Sequence, residues 1–511
     1  MNLPQSYWLT FQPESNYPQL QNDLKIDVAI IGGGISGLLS AYWLQKAGVQ
    51  TAIFEAQEIA KGTSAHTTAK ITAQHGLKYA YLKKISGEIA AIYAAANQAA
   101  IKHYHTIIKE NNFTCDFTSQ TAYLFTQEEK YIEKIKQETK AAESLGFQTN
   151  YLTEIPLPIN IKAGLAFSQQ AQFHPRKFLL ALAKKLTRKK VSIYEHTRIT
   201  QMTLGNNYLL ETSTGKKIIA EKVIMASHYP FYNYPGFTFS KLYLERSYIT
   251  AVSSEEKFPG GMYINAETPT RSIRSQITPQ GELILIAGEH HLTGQSKDTS
   301  KHYQALWNFA RKHFPIKEKA YHWSAQDCMT LDTLPYVGQL TDQTPGLYLA
   351  TGYGKWGMTN SMAAAIILKD LIVQGESDWL PAYNPSRKTI SASAKTFISQ
   401  NINKAGQFIE GKIKPIPSKI KIKPGEGKIL NLDGERVGVF LDTDKTLYLV
   451  NTTCTHLGCE LNWNTAECTW DCPCHGSRFS YQGEIIAGPA VKPLKKYTDT
   501  RTIQKLLEGD F

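Results

Sequence analysis

Cys454-Thr-His456-Leu-Gly-Cys459 and, after a gap, Cys472-Pro-Cys474-His475-Gly-Ser477 decide the fold of the C-terminal part of this chain of 511 residues. Each stretch brings a cysteine and a histidine close together, in C-x-H and C-x-x-H spacing. Two thiolates on one iron and two imidazoles on the other can hold a [2Fe–2S] cluster. Zinc also accepts two cysteines and two histidines, but a single residue between Cys454 and His456 is tighter than zinc-finger spacing. The stretches therefore predict an iron–sulfur cluster, with structural zinc as the alternative.

These two stretches resemble the cluster loops of the Rieske ferredoxin family, and the resemblance covers residues 416–511. It implies a small all-β Rieske domain whose [2Fe–2S] cluster is held by Cys454, His456, Cys472 and His475. It also implies a disulfide between Cys459 and Cys474 that braces the loops, and a third loop over the cluster at 488–490. Short apolar stretches between turns predict strands at 419–423, 437–441 and 446–450.

One position departs from that family. Its higher-potential members follow the Gly-Ser pair with a tyrosine two positions on, whose hydroxyl bonds a ligand sulfur. Here Ser477 is present, but the tyrosine position is Phe479. A hydrogen-bond donor stabilises the reduced, more negative cluster, so one fewer donor predicts a lower reduction potential.

A second redox signature lies near the N-terminus. The short apolar strand 27–31 is followed at once by Gly32-Gly-Gly34-Ile-Ser-Gly37, then by helical spacing over 38–47 and a second strand that ends at Glu55. Glycines allow the pyrophosphate of a dinucleotide to approach the backbone, and the carboxylate after the second strand binds a ribose hydroxyl. This context predicts a Rossmann-type dinucleotide site.

Four further segments, at 61–70, 172–178, 332–338 and 352–359, resemble the D-amino-acid-oxidase type of FAD-dependent oxidoreductase, which includes glycine, sarcosine and γ-glutamylputrescine oxidases. The resemblance spans about residues 25–380 and implies FAD. We expect the FAD to be non-covalent, because Cys328 lies too close to the Thr330–Asp332 segment to match the covalent-flavin cysteine of sarcosine oxidases. By the resemblance, Thr63 and Ser64 lie against the cofactor, Ile199 contacts adenine by its backbone, and the 352–359 loop approaches the flavin ring. The cofactor-binding residues expected are Gly32, Gly34, Gly37, Glu55, Thr63, Ser64, Ile199, Gly352, Gly354, Gly357 and Met358.

The expected fold class is α/β (α+β): a Rossmann-type FAD-binding domain with an interleaved β-rich substrate domain, plus the small all-β Rieske domain. The oxidoreductase covers 1–380, the linker 381–415 and the Rieske domain 416–511. FAD-binding segments are expected at about 25–85, 150–230 and 320–380. Substrate-domain segments are expected at about 86–149 and 231–319.

The linker has helical apolar spacing from Ser391 to Lys412, with Ile398, Ile402 and Ile409 near one face. We expect a semi-rigid helix that docks on the flavin domain. The alternative is a helix that lies on a membrane surface, since lysines accompany the apolar face.

Charge and composition narrow the choice of partners and compartment. The net charge is +12, and six lysines fall within 412–428. No nucleic-acid-binding module accompanies this charge, so an acidic soluble electron carrier is the expected partner, with a merely solvated surface as the alternative. The sequence has neither a long apolar run nor a secretory signal, which predicts no transmembrane segment and a cytoplasmic protein.

The substrate is expected to be an amine or an amino-acid-like compound, because the resembled flavoenzymes oxidise carbon that bears nitrogen. Asp327 stands about where relatives that act on free amino acids carry an arginine, and a carboxylate there suits a cationic amine. The alternative is that Asp327 is a carboxylate that caps a loop. The other candidates for the pocket are Arg246, Tyr248 and His290. No catalytic residue is assigned.

Together these features predict a flavin dehydrogenase in which FAD passes electrons through the Rieske cluster to an external acceptor. Two alternatives remain: a reductase in which electrons flow in the opposite direction, and a non-catalytic redox sensor.

Overall fold

The computed structural model describes residues 4–12, 16–232, 234–387, 394–417, 421–432 and 434–498. The strands are Leu24–Ile31 (β1), Thr51–Phe54 (β2), Lys70–Ile71 (β3), Thr118–Thr126 (β4), Thr149–Leu152 (β5), Ala163–Gln172 (β6), Ser192–Tyr194 (β7), Ile199–Leu204 (β8), Tyr208–Thr212 (β9), Lys217–Met225 (β10), Leu242–Ser254 (β11), Met262–Asn265 (β12), Arg271–Thr278 (β13), Gly281–Leu292 (β14), Ile316–Thr330 (β15), Tyr336–Gln339 (β16), Leu347–Thr351 (β17), Gly427–Leu432 (β18), Glu435–Leu441 (β19), Leu447–Asn451 (β20), Asn462–Asn464 (β21), Thr469–Asp471 (β22), Arg478–Ser480 (β23) and Ile485–Ala487 (β24). The helices are Ile35–Lys46 (α1), Lys78–Ile85 (α2), Gly87–Glu110 (α3), Ile132–Ser144 (α4), Pro175–Arg188 (α5), Thr238–Lys241 (α6), Ser300–His313 (α7), Gly357–Val373 (α8), Leu380–Tyr383 (α9) and Ala394–Ile413 (α10).

The first sheet has the order β16-β17-β10-β1-β2-β7, with the β8–β9 hairpin attached to β10. Strands β17, β10, β1, β2 and β7 run parallel, and β16 is antiparallel at the edge. The C-terminal half of β1 is buried because helices cover the sheet, and α1 is buried in turn between the sheet and α8. In such a sheet, ligands bind beyond the carboxyl ends of the parallel strands.

The second sheet is mostly antiparallel and has the order β15-β11-β14-β13-β12-β4-β6-β3, with β5 beside β6. Its strands come from three separate parts of the chain, so the two large domains are interleaved. It also contains β3, β6 and the part of β15 from residue 320 to Thr330, which lie within the expected FAD-binding segments 25–85, 150–230 and 320–380. The boundaries of these segments stay a prediction.

The C-terminal module contains two small antiparallel sheets, β18-β19-β20 and β21-β22-β23-β24. Strands β19 and β20 coincide closely with two of the three expected strands. At the third, 421–423 is not a strand, and 419–420 lies outside the described residues. The two expected cluster loops connect β20 to β21 and β22 to β23.

Helix α10 occupies most of the linker. It contacts the body of the protein through polar groups: Asn401 Nδ2 donates to Ser240 O (3.1 Å) and Lys404 Nζ donates to Phe239 O (2.7 Å). The large apolar side chains described on this helix point outward: Ile398, Phe408, Ile402, Ile409 and Ile413 are all exposed. The helix thus contacts α6 through polar side chains that bind backbone carbonyls, and its large exposed apolar residues take no part in these contacts.

Among the described residues, no helix is both long enough and apolar enough to span a lipid bilayer.

Candidate redox site

The two cluster loops are tightly closed turns. In the first, Cys454 N donates to Cys459 O (2.8 Å), and in the second, Cys472 N donates to Ser477 O (2.8 Å). The Cys454 and Cys472 side chains are buried, and the rings of His456 and His475 lie with their centroids 5.1 Å apart. Both pairs of potential ligands therefore face one small space at the tip of the module.

The remaining cysteines of these loops, Cys459 and Cys474, form a disulfide with an S–S distance of 2.00 Å. This bond joins the first loop to the second across a sequence separation of 15 residues. It holds the two cluster loops together, which is the bracing role that the resemblance to the Rieske family implied.

The donor set fits a Rieske cluster, which needs neutral imidazoles and thiolates. Burial lowers the pKa of His456 to about 4, and burial together with His456 and Lys404 lowers that of His475 to about 3. The Nδ1 atom of His475 is buried, and no described residue hydrogen-bonds to it. A buried ring nitrogen is costly unless it has a partner, and a metal ligand bond supplies one.

Two residues beside the ligands control the donors available to the sulfurs. Ser477 is fully buried, its Oγ accepts from Ala490 N (3.1 Å), and its hydroxyl hydrogen-bonds the Cys454 thiol. Phe479 is also fully buried and pairs across the sheet with Trp470. Because its side chain is a phenyl ring, it offers no hydrogen-bond donor at this position.

A single cavity of about 730 Å³ lies beyond the carboxyl ends of β1 and β10 and extends to the face of the second sheet. Nine of the eleven expected cofactor-binding residues line it: Gly32, Gly34, Glu55, Thr63, Ser64, Ile199, Gly354, Gly357 and Met358. Gly37 and Gly352 do not line the cavity. At both positions the close packing of neighbouring atoms leaves no room for a Cβ. A Cβ on Gly37 would lie 1.9 Å from Gly32 O, and one on Gly352 would lie 2.3 Å from Thr330 Cγ2.

The start of α1 lies at the cavity wall, next to Glu55. No side chain of its own caps the helix, and Ser64 Oγ from the 63–65 turn accepts from Ile35 N (3.0 Å). Glu55 Oε2 accepts from Gly33 N (2.7 Å) and its Oε1 accepts from Gln57 N (2.9 Å). These bonds fix the carboxylate at the cavity wall, where a ribose hydroxyl of a dinucleotide is expected.

The loop before α8 forms the opposite wall. Gly354 N donates to Cys328 O (3.0 Å), and the Tyr353 hydroxyl contacts Ser36 Oγ at 2.9 Å, which ties this loop to α1. Helix α8 begins at Gly357 without a side-chain cap, and Gly357 and Met358 line the cavity. Uncapped amides at a helix N-terminus favour negative charge, which is what a reduced flavin ring carries.

Of the four pocket candidates, Asp327 and His290 line the cavity, but Arg246 and Tyr248 do not. Arg246 is nearly fully buried and forms an ion pair with Glu467 of the C-terminal module. The Tyr248 hydroxyl lies 3.0 Å from His291 Nε2, inside the core of the second sheet. Tyr243 and Ser247 of β11 line the cavity. Alternate residues of a strand face opposite sides of the sheet, so Arg246 and Tyr248 point away from the cavity.

Sequence reasoning missed several cavity residues. His228 and Tyr229 follow β10, and buried polar atoms of both, His228 Nε2 and the Tyr229 hydroxyl, have no hydrogen-bond partner among the described residues. Their position at the carboxyl end of a central parallel strand was the signal that could have identified them. Lys355 lies in the quoted 352–359 loop and forms an ion pair with Glu245 (2.7 Å).

The C-terminal module itself contributes to the cavity wall. Its third loop, residues 488–491, lines the same cavity as Tyr353 and Asp327. Direct hydrogen bonds hold the module there: Gln326 Nε2 donates to Gly476 O (2.9 Å) and Gln57 Nε2 donates to Ile485 O (3.1 Å). Gly476 lies between a proposed ligand, His475, and Ser477, so the contact reaches the cluster loop directly.

Comparisons with known proteins cover both modules. Residues 27–371 match the family described as "FAD dependent oxidoreductase", and residues 413–498 match the "Rieske [2Fe-2S] domain". A putative Rieske 2Fe-2S iron-sulfur protein of Bacillus subtilis, YhfW, is 39% identical over 495 residues, which are 96% of this chain and 97% of that protein.

Solved structures show the same fold for the larger part. Glycine oxidase from Geobacillus kaustophilus superimposes with a TM-score of 0.62 at 18% identity, covering 71% of this chain and 99% of that one. L-proline dehydrogenase from P. horikoshii does so with a TM-score of 0.60 at 18% identity, covering 71% and 98%. The family matches confirm the predicted fold class and both predicted cofactors, FAD and a [2Fe–2S] cluster.

Proposed function

Because the chain belongs to the FAD-dependent oxidoreductase family and carries a C-terminal Rieske domain, we propose that it is a dehydrogenase of amines or amino-acid-like compounds. In this proposal the electrons leave through the Rieske domain to an external acceptor. When bound, FAD takes a hydride from a carbon that bears nitrogen, and the cluster carries electrons singly.

One observation supports this function above the others: the third loop of the Rieske domain, 488–491, and the loop at 353–358 line the same cavity. A Rieske domain that served only as a remote sensor would not need to contribute to the wall of the flavin cavity. Because the Rieske domain is tethered to the flavin domain and docked on it, the two redox sites need not meet by diffusion. This favours electron transfer within one chain.

The polar groups on the cavity wall favour an amine with a positive charge. Asp327 Oδ2 accepts from Ser247 Oγ (3.0 Å), and no described residue donates to Oδ1. Burial raises the pKa of the Asp327 carboxyl, and Lys355 and Ser247 act against this rise. Lys355 is itself paired with Glu245, so the Asp327 carboxylate is available to a substrate ammonium group.

Asp327 then has two tasks in the proposed reaction. It holds the ammonium group over the cavity floor, and Oδ1 takes its proton, because only a neutral amine can lose hydride from the adjacent carbon. Ser247 keeps the carboxylate oriented by its hydrogen bond to Oδ2.

The test is anaerobic mixing of the full-length protein with aliphatic amines, diamines and amino acids. Flavin absorbance should bleach first, and the EPR signal of the reduced Rieske cluster should follow. If no amine or amino acid bleaches the flavin while a reduced one-electron carrier does, the reverse, reductive direction replaces this proposal.

Two variants separate the steps. Asp327→Asn should raise KM for cationic amines about tenfold or more, whereas Asp342→Asn, in an exposed loop, should leave KM unchanged. His475→Cys should abolish the Rieske EPR signal and turnover with one-electron carriers but leave flavin reduction intact. If His475→Cys kept full turnover with those carriers, the cluster would not lie on the catalytic path and the sensor function would be favoured.

A further inference from the structure

Helix α10, Ala394–Ile413, presents a continuous apolar stripe outward. Ile398, Ile402, Ile409 and Ile413 are 57%, 66%, 56% and 73% exposed. Their spacing of four, seven and four residues places all four on one face of an α-helix. A stripe of isoleucines that is exposed along a whole helix is unusual on a protein surface without a partner and indicates an interaction site.

The opposite face of the same helix is already occupied. Asn401, Asn403 and Lys404 hydrogen-bond to backbone or side-chain groups of the substrate domain, and Gly411 lies against Glu460 of the Rieske domain. The apolar stripe therefore faces away from both neighbouring domains. It is held outward by the polar contacts on the other side.

Charge identifies the kind of partner. Within α10, Lys412 forms an ion pair with Glu460, and Lys404 donates to the backbone carbonyls of Phe239 and Leu242, so the charge available to a partner lies beyond the helix. Beyond its C-terminal end, exposed lysines continue at Lys414, Lys421 and Lys423, and no described acidic residue forms an ion pair with these three. An apolar helical face next to unpaired lysines fits an anionic surface that also accepts apolar side chains.

We propose that α10 lies on the surface of an anionic lipid bilayer, with the isoleucine stripe in the boundary of the acyl chains and the exposed Lys414, Lys421 and Lys423 at the lipid phosphates. A second copy of this chain would cover the stripe equally well, but it would bring the exposed lysines of one copy against those of the other. The helix does not cross the bilayer, since no described helix is long and apolar enough to do so. This attachment is independent of the substrate and of the direction of electron flow.

The test is flotation of the full-length protein with vesicles of phosphatidylcholine alone and of phosphatidylcholine with phosphatidylglycerol. The protein should float with the anionic vesicles only, and binding should weaken as the salt concentration rises. Absence of flotation with anionic vesicles at low salt would overturn the proposal.

Matched variants assign the binding to this surface. The double substitution Ile402→Gln and Ile409→Gln should reduce vesicle binding at least tenfold, because both apolar side chains leave the bilayer. Ile277→Gln should leave it unchanged, since Ile277 is equally exposed (66%) but lies on β13. Lys414→Glu should reduce binding about fivefold, and Lys25→Glu, on an exposed position of β1, should not.

Sedimentation of the same proteins decides between the bilayer and a second copy. The proposal expects the wild-type chain and the isoleucine double variant to have the same oligomeric state in solution. A dimer that dissociates in Ile402→Gln with Ile409→Gln, without vesicle binding, would overturn the proposal and assign the stripe to self-association. Retained flavin absorbance in both proteins shows that the variant is folded.

Discussion

Arg246 on β11 and Glu467 in the turn between β21 and β22 form an ion pair of 2.5 Å across the interface of the two modules. They are 221 positions apart in sequence, and their side chains are only 3% and 8% exposed. Arg478 and Ser324 also hydrogen-bond to the Glu467 carboxylate. This buried network fixes the Rieske domain on the substrate domain, so that its third loop reaches the flavin cavity.

Removing the charge of Glu467 should loosen this interface. In Glu467→Gln, Arg246 remains buried without its counter-charge, whereas Arg478 keeps its ion pair with Asp471 (3.0 Å). Removing one partner of a buried ion pair costs about 3–5 kcal/mol. Limited proteolysis and thermal unfolding should show faster cleavage in the linker and a lower transition temperature. Glu484→Gln is the control: Glu484 pairs with Lys496 at the surface, where such a pair contributes less than about 1 kcal/mol. Equal stability of the two variants would contradict a clamping role.

The same carboxylate predicts how the interface responds to acid. Burial acts to raise the pKa of Glu467, but Arg246 and Arg478 outweigh it, and the pKa falls to about 2. Because the pKa is lower in the folded state, ionised Glu467 contributes fully to the free energy of unfolding above the pKa of the unfolded chain, about 4.3. This contribution is lost as the pH falls from there toward 2. The difference in urea midpoint between wild type and Glu467→Gln should therefore be constant from pH 7 to 5 and should narrow below pH 4. If this difference in urea midpoint grew as the pH fell below 4, instead of narrowing, the explanation would be wrong.

Gly37→Ala should empty the flavin site. The new Cβ would meet Gly32 O at 1.9 Å, so the turn that approaches the pyrophosphate has to move. Flavin content per chain should fall at least tenfold, whereas the Rieske EPR signal should remain and show that the chain is folded. Gly87→Ala, where an added Cβ meets nothing within 4 Å, is the matched control. Full flavin occupancy in Gly37→Ala would mean that the glycine motif does not hold the cofactor.

The cluster potential should follow the number of hydroxyl donors. Phe479→Tyr adds a donor near the sulfurs and should raise the potential, and Ser477→Ala removes one and should lower it. A preference of about 1.4 kcal/mol for the reduced state corresponds to roughly 59 mV for one electron. Redox titration followed by EPR measures both shifts. Ser480→Ala, whose Oγ accepts from Glu484 N in an exposed turn, should leave the potential unchanged. If both cluster variants matched wild type, these side chains would not reach the cluster.

The local sequence was sufficient for the two cofactor motifs, whose residues lie close together in the chain. The spacing of Cys454, His456, Cys472 and His475 identified the cluster type, because ligand geometry is set within two short loops. The glycine motif and Glu55 identified a dinucleotide site, since strand, turn and helix follow each other directly. The family resemblance then extended this to FAD.

The tertiary structure alone decided where long-range partners meet. Arg246 was expected in the pocket but is used in the domain interface, because the side to which a residue of β11 points depends on sheet register. The structure shows that His228 and Tyr229 line the cavity, although their place just after β10 was readable from the sequence. The orientation of α10 also could not be predicted from its periodicity. An apolar stripe usually indicates the face that is buried. Here Asn401 and Lys404 bind backbone carbonyls on the opposite face, and the isoleucines are exposed. Periodicity specifies which residues share a face, and only the contacts available on the neighbouring domain determine which face is buried.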